Sequence, residues 1–141
     1  QALTWHTRHG ILLRMSPFAS LPMQAKEIPE SEFGDVFKVS FHGYNLRASS
    51  FREANLIGAN FRQANLRSAD FRYCAAKYAN FNAALLKAAI FKGANLRWAL
   101  FNGANLQHAS FVGADLSKAR WDETTIWPSG IGRIKITKKE L

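Results

Sequence analysis

The chain has 141 residues, 48% of them hydrophobic, which is enough for one domain with a core and too little for two independent ones. Nineteen Lys and Arg against ten Asp and Glu give a formal charge of +9, pointing to an acidic partner or to a merely solubilising surface. One cysteine, Cys74, excludes an intramolecular disulfide framework, and no apolar run approaches the ~20 residues of a membrane-spanning helix.

Residues 1–40 form the first expected unit. A chain that starts at Gln1 is expected to be a processed or trimmed product. The run "ILLRMSPFASLPMQA", Ile11 to Ala25, faintly resembles a targeting segment, but Arg14 and two prolines interrupt it. Trp5, Leu12, Leu13, Phe18, Leu21, Phe33 and Phe37 follow no period. The segment is therefore expected to cap what comes next, in part with a short helix around Pro29 to Phe33. His6 and His9 lie three apart with no third ligand in view, so no metal site is expected there.

From Phe41 a register of five takes over. Its centres are Phe41, Leu46, Phe51, Leu56, Phe61, Leu66, Phe71, Ala76, Phe81, Leu86, Phe91, Leu96, Phe101, Leu106, Phe111, Leu116, Trp121 and Ile126. Two residues before each centre, positions 54 to 119 read Ala thirteen times out of fourteen, with Cys74 the exception. Five residues advance an α-helix by about 500°, which smears the centres around the cylinder. On a flat strand an odd step alternates faces. A solenoid with one five-residue unit per side satisfies both tests, with the centre and the Ala before it pointing inward. A triangular coil of fifteen residues would stack Phe on Leu, whereas a square coil of twenty stacks like on like. The expected columns are Phe41/Phe61/Phe81/Phe101/Trp121, Leu46/Leu66/Leu86/Leu106/Ile126, Phe51/Phe71/Phe91/Phe111 and Leu56/Ala76/Leu96/Leu116. The fold class is all-β, a four-sided β-helix over 41–126 of a little over four coils, roughly 20 Å long at ~4.8 Å per coil.

Residues 127–141 form the C-terminal basic cap or tail. "WPSG" signals a turn, and the alternation of Ile134 and Ile136 fits a short strand.

Catalysis needs a concave site with convergent polar groups, which a rod filled by Phe, Leu and Ala does not offer. His42 and His108 take outward positions on different coils, no nucleophile pairs with either, and Cys74 fills an inward Ala slot. No phosphate-cradling glycine loop occurs, and neither an enzyme nor a cofactor is expected. The outward positions carry the information instead. The residue after each centre is basic at Arg47, Arg52, Arg62, Arg67, Arg72, Lys77, Lys87, Lys92 and Arg97, and from Asn102 to Asp122 it is not. On a square coil Arg47/Arg67/Lys87, Arg52/Arg72/Lys92 and Lys77/Arg97 form ladders on three sides. Before the centre, the usual Asn, Asp or Ser becomes Leu85, Ile90 and Leu100, expected to form an exposed apolar band, and Tyr78 and Trp98 share one corner. Trp, Tyr and Arg are the residues enriched in interface hot spots, so these thirteen positions without Arg62 are the candidate partner-binding residues.

"EANLIGANF", "QANLRSADF", "GANLRWALF" and "GADLSKARW" resemble the A(N/D)LXX motif of the pentapeptide-repeat proteins, over residues 41–126 or from Val36 with "GDVFKVSF". The resemblance implies a right-handed quadrilateral β-helix. Members of that family include acidic DNA mimics that bind type II topoisomerases and confer quinolone resistance, and many others are cyanobacterial or plastid lumenal proteins without assigned activity. A DNA mimic needs a negative surface, and these sides are positive. The expected function is a non-enzymatic scaffold that docks on an acidic, partly apolar protein surface as a peripheral or linker subunit, with a photosynthetic-membrane or thylakoid setting. The alternative is a nucleic-acid or topoisomerase-linked binding protein that uses the ladders on phosphates and Tyr78 and Trp98 for stacking.

Overall fold

The structure, a computed structural model, describes residues 3–6, 12–15 and 39–131. The helix expected around Pro29 to Phe33 and the strand expected at Ile134 and Ile136 lie outside the described residues. Two short strands, β1 (Leu3–His6) and β2 (Leu12–Met15), pair antiparallel with Leu3 opposite Met15 and His6 opposite Leu12. The aperiodic sequence of this segment gave no sign of them.

The period of five becomes a period of twenty in space. Each residue before a centre bridges in parallel to the residue twenty further on: Ser40 to Asn60, Asn45 to Asn65, Ser50 to Asp70, Asn55 to Ala75, and so on to Leu100 with Arg120. Twenty residues taken five at a time make four sides, named here by their centres. Side one carries Phe41, Phe61, Phe81 and Phe101; side two Leu46, Leu66, Leu86 and Leu106. Side three carries Phe51, Phe71, Phe91 and Phe111; side four Leu56, Ala76, Leu96 and Leu116.

The backbone of one circuit is hydrogen-bonded to the next, which is how the chain satisfies its polar groups without long strands. The Phe41 N–H donates to the Asn60 carbonyl at 2.7 Å, and the Asn60 N–H donates to the Val39 carbonyl at 2.8 Å. At each corner the N–H three residues past the centre donates to the centre's carbonyl, as Ala64 does to Phe61 at 3.1 Å. The third residue of that turn is left-handed, the mark of a type II turn. Only some corners carry glycine there; Ala48, Ala88, Tyr73, Tyr78 and Trp98 all hold φ between 58° and 63°. The strain of ~1–2 kcal/mol per such residue is held by the ladder on either side of it.

Inside, the two phenylalanine columns are stacked. Phe61 and Phe81 lie 5.1 Å apart at 3°, Phe81 and Phe101 5.2 Å apart at 5°, and Phe71 and Phe91 4.8 Å apart at 8°. Between columns the rings meet edge to face, as Phe71 and Phe81 do at 5.5 Å and 89°. Both arrangements suit the aromatic quadrupole. The Ala two residues before most centres leaves room for these rings, and Cys74 takes one such slot, buried like its neighbours.

The columns end before the sequence register does. Trp121 keeps the step of twenty, since Leu100 bridges Arg120, and packs half-buried against the core; Ile126 leaves its expected column, because one residue is added after Trp121. Asn105 bridges Ile126, a step of twenty-one, so Ile126 takes the outward place before a centre and is 51% exposed. The turn has slid by one residue: the Thr125 N–H donates to the Asp122 carbonyl at 3.2 Å, and Glu123 is not left-handed. The Asp122 side chain accepts from the Gly103 N–H at 3.3 Å, and the Thr125 hydroxyl donates to the Phe101 carbonyl at 2.8 Å. Trp127 then becomes the closing residue, its ring 5.8 Å from Phe101 and 5.7 Å from Phe111, with the half-buried Trp121 edge-on to it at 5.3 Å.

Candidate functional site

The sequence of each side decides how much of its charge is free. On side two, Arg47, Arg67 and Lys87 are exposed one circuit apart. The turn residues that follow them are the small Ala48, Ser68 and Ala88. An open cavity of about 350 Å³ lies among Arg47, Arg67, Ser68, Lys87 and Ala88. None of the side-two residues 44–48, 64–68, 84–88 and 104–108 is Asp or Glu.

Side three is more self-contained. Arg72 does not stand free as the ladder implied, because Asp70 holds it bidentately: Nε donates at 2.9 and 3.1 Å and Nη2 at 2.7 Å. Burial pushes the Asp70 carboxyl up, but the hydrogen bonds and charge of Arg72 outweigh it and hold the group below its ordinary value. Arg52 lies over the Tyr73 ring at 5.7 Å, a cation–π arrangement, while Lys92 is exposed. Tyr73 itself lies against Gly93, where a Cβ would fall 2.5 Å from the ring. Sequence reasoning missed Tyr73 and Asp70. Tyr and Gly twenty residues apart, and Asp two before Arg, were the signals that mark them.

Side four places Lys77, half-buried, with its Nζ 5.2 Å from the Tyr78 ring centre. Tyr78 and Trp98 stack at 6.2 Å and 23°, and Arg97 is exposed beside them. Leu85, Ile90 and Leu100 point outward but are half-buried, and they do not form one band. Leu85 bridges Asn65 and Asn105 on side two, Ile90 bridges Asp70 and Ser110 on side three, and Leu100 bridges Asn80 and Arg120 on side one. On a four-sided rod Ile90 and Leu100 face opposite ways. Elsewhere this position caps the backbone, as the Asn60 Oδ1 accepts the Arg62 N–H at 3.0 Å, and leucine or isoleucine gives that bond up.

Little else on the rod suits chemistry. Burial pushes the Cys74 thiol up to about 12, which leaves it protonated and inert. A second cavity of about 450 Å³ lies at the C-terminal end between Phe111 and Ile131 and is walled mainly by Ala109, Val112, Gly113 and Pro128. Among the described residues no group of three His, Cys, Asp or Glu is placed to hold a metal ion, and no helix is long and apolar enough to cross a membrane.

The chain is similar to solved structures. A pentapeptide repeat protein of the Arabidopsis thaliana thylakoid lumen superposes with a TM-score of 0.53 at 27% identity, over 68% of this chain and 69% of that one. A pentapeptide repeat protein from the cyanobacterium Cyanothece matches at 25% identity over 64% of this chain and 60% of that one, with a TM-score of 0.32. One from Nostoc matches at 31% identity over 57% and 75%, with a TM-score of 0.31. No curated protein sequence matches the chain. The family pattern that does match is the pentapeptide repeat region, over residues 44–121. That stretch is more than half of the sequence and holds every stacked phenylalanine except Phe41, so the chain belongs to the pentapeptide repeat family.

Proposed function

We propose that this protein is a non-enzymatic interaction scaffold: a rigid basic rod that docks on an acidic, partly apolar protein surface as a peripheral or linker subunit of a larger assembly. The observation that carries this reading is the confinement of charge. Eight cations of the candidate set, Arg47 to Arg97, occupy the position after a centre, and the same position is neutral or acidic from Asn102 to Asp122. A uniformly solubilising surface has no reason to stop there. The rod is taken as right-handed and a little over four circuits long, as its family and the span 41–126 imply. Residues 1–40 and 127–141 are taken as its caps. The relative from a plant thylakoid lumen supports a plastid or cyanobacterial setting.

A second reading has one observation in its favour. The stacked Tyr78 and Trp98, with Lys77 and Arg97 beside them, resemble a platform for single-stranded nucleic acid. The positive sign of the sides opposes topoisomerase inhibition by DNA mimicry. The two readings separate in one capture experiment. Immobilised protein is exposed to nuclease-treated and untreated thylakoid extract, beside a Lys87, Lys92 and Arg97 to Glu variant. A defined polypeptide retained after nuclease treatment, released by salt and lost on charge reversal, is expected. Retention that depends on intact nucleic acid overturns the scaffold reading in favour of the second.

A further inference from the structure

We infer that side two is the docking face, and that its ligand is an extended acidic peptide segment of a protein, carrying Glu or Asp with an apolar residue among them. The inference rests on the scaffold reading and narrows it to one of four sides. Charge separates the sides first. Side three sets Arg52, Arg72 and Lys92 against Glu53 and Asp70, and Arg72 is already bound by Asp70. Side four sets Lys77, Arg97 and Lys118 against Asp115, and side one balances Arg62 and Arg120 against Asp122 and Glu123. Side two alone carries three cations and no carboxylate.

Shape agrees with charge. Behind Arg47, Arg67 and Lys87 the small turn residues open the cavity of about 350 Å³, so carboxylates can approach the cations without displacing other side chains. The backbone of the side is already paired: Ala48, Ser68 and Ala88 N–H donate to Arg67, Lys87 and Gln107 carbonyls at 2.9 Å each. A partner strand therefore gains nothing by edge pairing, and recognition runs through side chains. One backbone donor differs. The Arg47 and Arg67 N–H groups face the Asn45 and Asn65 Oδ1 at 3.4 Å, but residue 85 is leucine, so the Lys87 N–H has no such acceptor. It adds a donor at the end of the ladder.

The same leucine selects the class of partner. Leu85 is half-buried beside Lys87 on the docking side and offers an apolar contact that a phosphate backbone cannot use. The rings on which a nucleic acid would stack, Tyr78 and Trp98, lie on side four, the opposite face of the rod. One strand cannot take the side-two cations and the side-four rings together.

The test is a fluorescence-anisotropy titration at low and moderate salt with three labelled probes: an alternating Glu-Leu octapeptide, an alternating Lys-Leu octapeptide and an oligothymidylate. Two variants carry the same change of charge, R47E/R67E/K87E on side two and R62E/K118E/R120E off it, and circular dichroism checks that both fold. The Glu-Leu probe is expected to bind the wild type in preference to the other two. Side-two reversal is expected to weaken it by about tenfold or more, and the off-side variant by about twofold or less. Leu85→Ala is expected to weaken the Glu-Leu probe but not the oligothymidylate. Equal losses in both variants, or oligothymidylate binding tighter than the Glu-Leu probe, overturn the inference. If both octapeptides fail to bind while a polypeptide is still captured from extract, the acidic-segment assignment falls and the scaffold reading stands.

Discussion

The middle circuits and the closing segment solve the same packing problem in different ways. Between Phe61 and Phe101 nearly every inward place is filled by a residue that repeats twenty positions on, Cys74 and Ala76 being the exceptions, and the rings stack within 5.2 Å of their column neighbours. Between Trp121 and Ile131 the described residues include no next circuit to receive such a column. There the chain adds a residue, slides its turn to Asp122, and lays Trp127 across two columns at once. A repeat propagates a core but cannot end one, because each circuit buries only its neighbour. The end needs a side chain too large for the repeat.

The contrast is broken most severely at Phe81. It is fully buried between Phe61 and Phe101 and edge-on to Phe71 and Phe91. Phe81→Ala opens a cavity in both columns and is expected to destabilise by ~3–5 kcal/mol in denaturant titration. Ile126→Ala, at a nominal centre of the same register, is expected to change stability by less than about 0.5 kcal/mol. A large loss at Ile126 would restore the unshifted register and remove the added residue.

Trp127→Ala comes next. The ring is only half-buried, so its loss is expected at about 2 kcal/mol, below the range for a buried ring. The two sites also differ in character. Phe81→Ala weakens the whole rod, whereas Trp127→Ala is expected to raise hydrogen exchange first at Leu106 and Phe101, whose N–H groups donate to the Ile126 and Arg120 carbonyls of the closing segment. Uniform acceleration along the chain would show that Trp127 is no local cap.

The sequence made the interior legible and the ends illegible for a physical reason. Alternating Phe and Leu at a step of five stacks like on like on four sides and not on three, and the bridges from Ser40 to Asn60 onward follow the count of four. The added residue near Asp122 leaves Trp121 and Ile126 still five apart, so counting centres cannot reveal it. Outward geometry was partly legible. The ladder of Arg47, Arg67 and Lys87 follows from the count, but the pairing of Arg72 needs the reach of its side chain to Asp70, which no period encodes. The apolar positions Leu85, Ile90 and Leu100 looked contiguous because they are close in sequence, and five residues on this rod turn the chain by one side.

Gly93 tests how far the outward corner is fixed. Its φ is +67°, and Ala88 holds +62° at the preceding corner, so the backbone conformation itself tolerates a side chain. The obstacle is Tyr73, whose ring occupies the place of a Cβ. Gly93→Ala is expected to cost about 1 kcal/mol, from strain and from the displaced ring. Tyr73 ring resonances, followed by NMR, should lose their contacts with residue 93 and with Arg52. An unchanged Tyr73 environment would mean that the ring does not rest on this corner.

The smallest effect separates charge from turn chemistry at Asp70. Its Oδ1 accepts the Arg72 N–H at 3.0 Å, the capping bond that Asn makes elsewhere, and its carboxylate also binds the guanidinium. Asp70→Asn keeps the first and removes the second. Because the pair is only partly buried, with the Arg72 side chain 37% and the Asp70 side chain 20% exposed, solvent screening is expected to keep the difference near neutral pH within about 0.5 kcal/mol. The sign of its pH dependence is fixed. The folded Asp70 lies below its ordinary value of 3.8, so its contribution is complete above that value and is lost as pH falls through the depressed one. Thermal melts of wild type and Asp70→Asn should therefore differ slightly at neutral pH and converge only below that value. A difference that persists to the lowest pH would assign the stabilisation to the capping geometry and not to the ion pair. A loss well beyond 0.5 kcal/mol at neutral pH would show that side three depends on this pair for its fold, not merely for its neutrality.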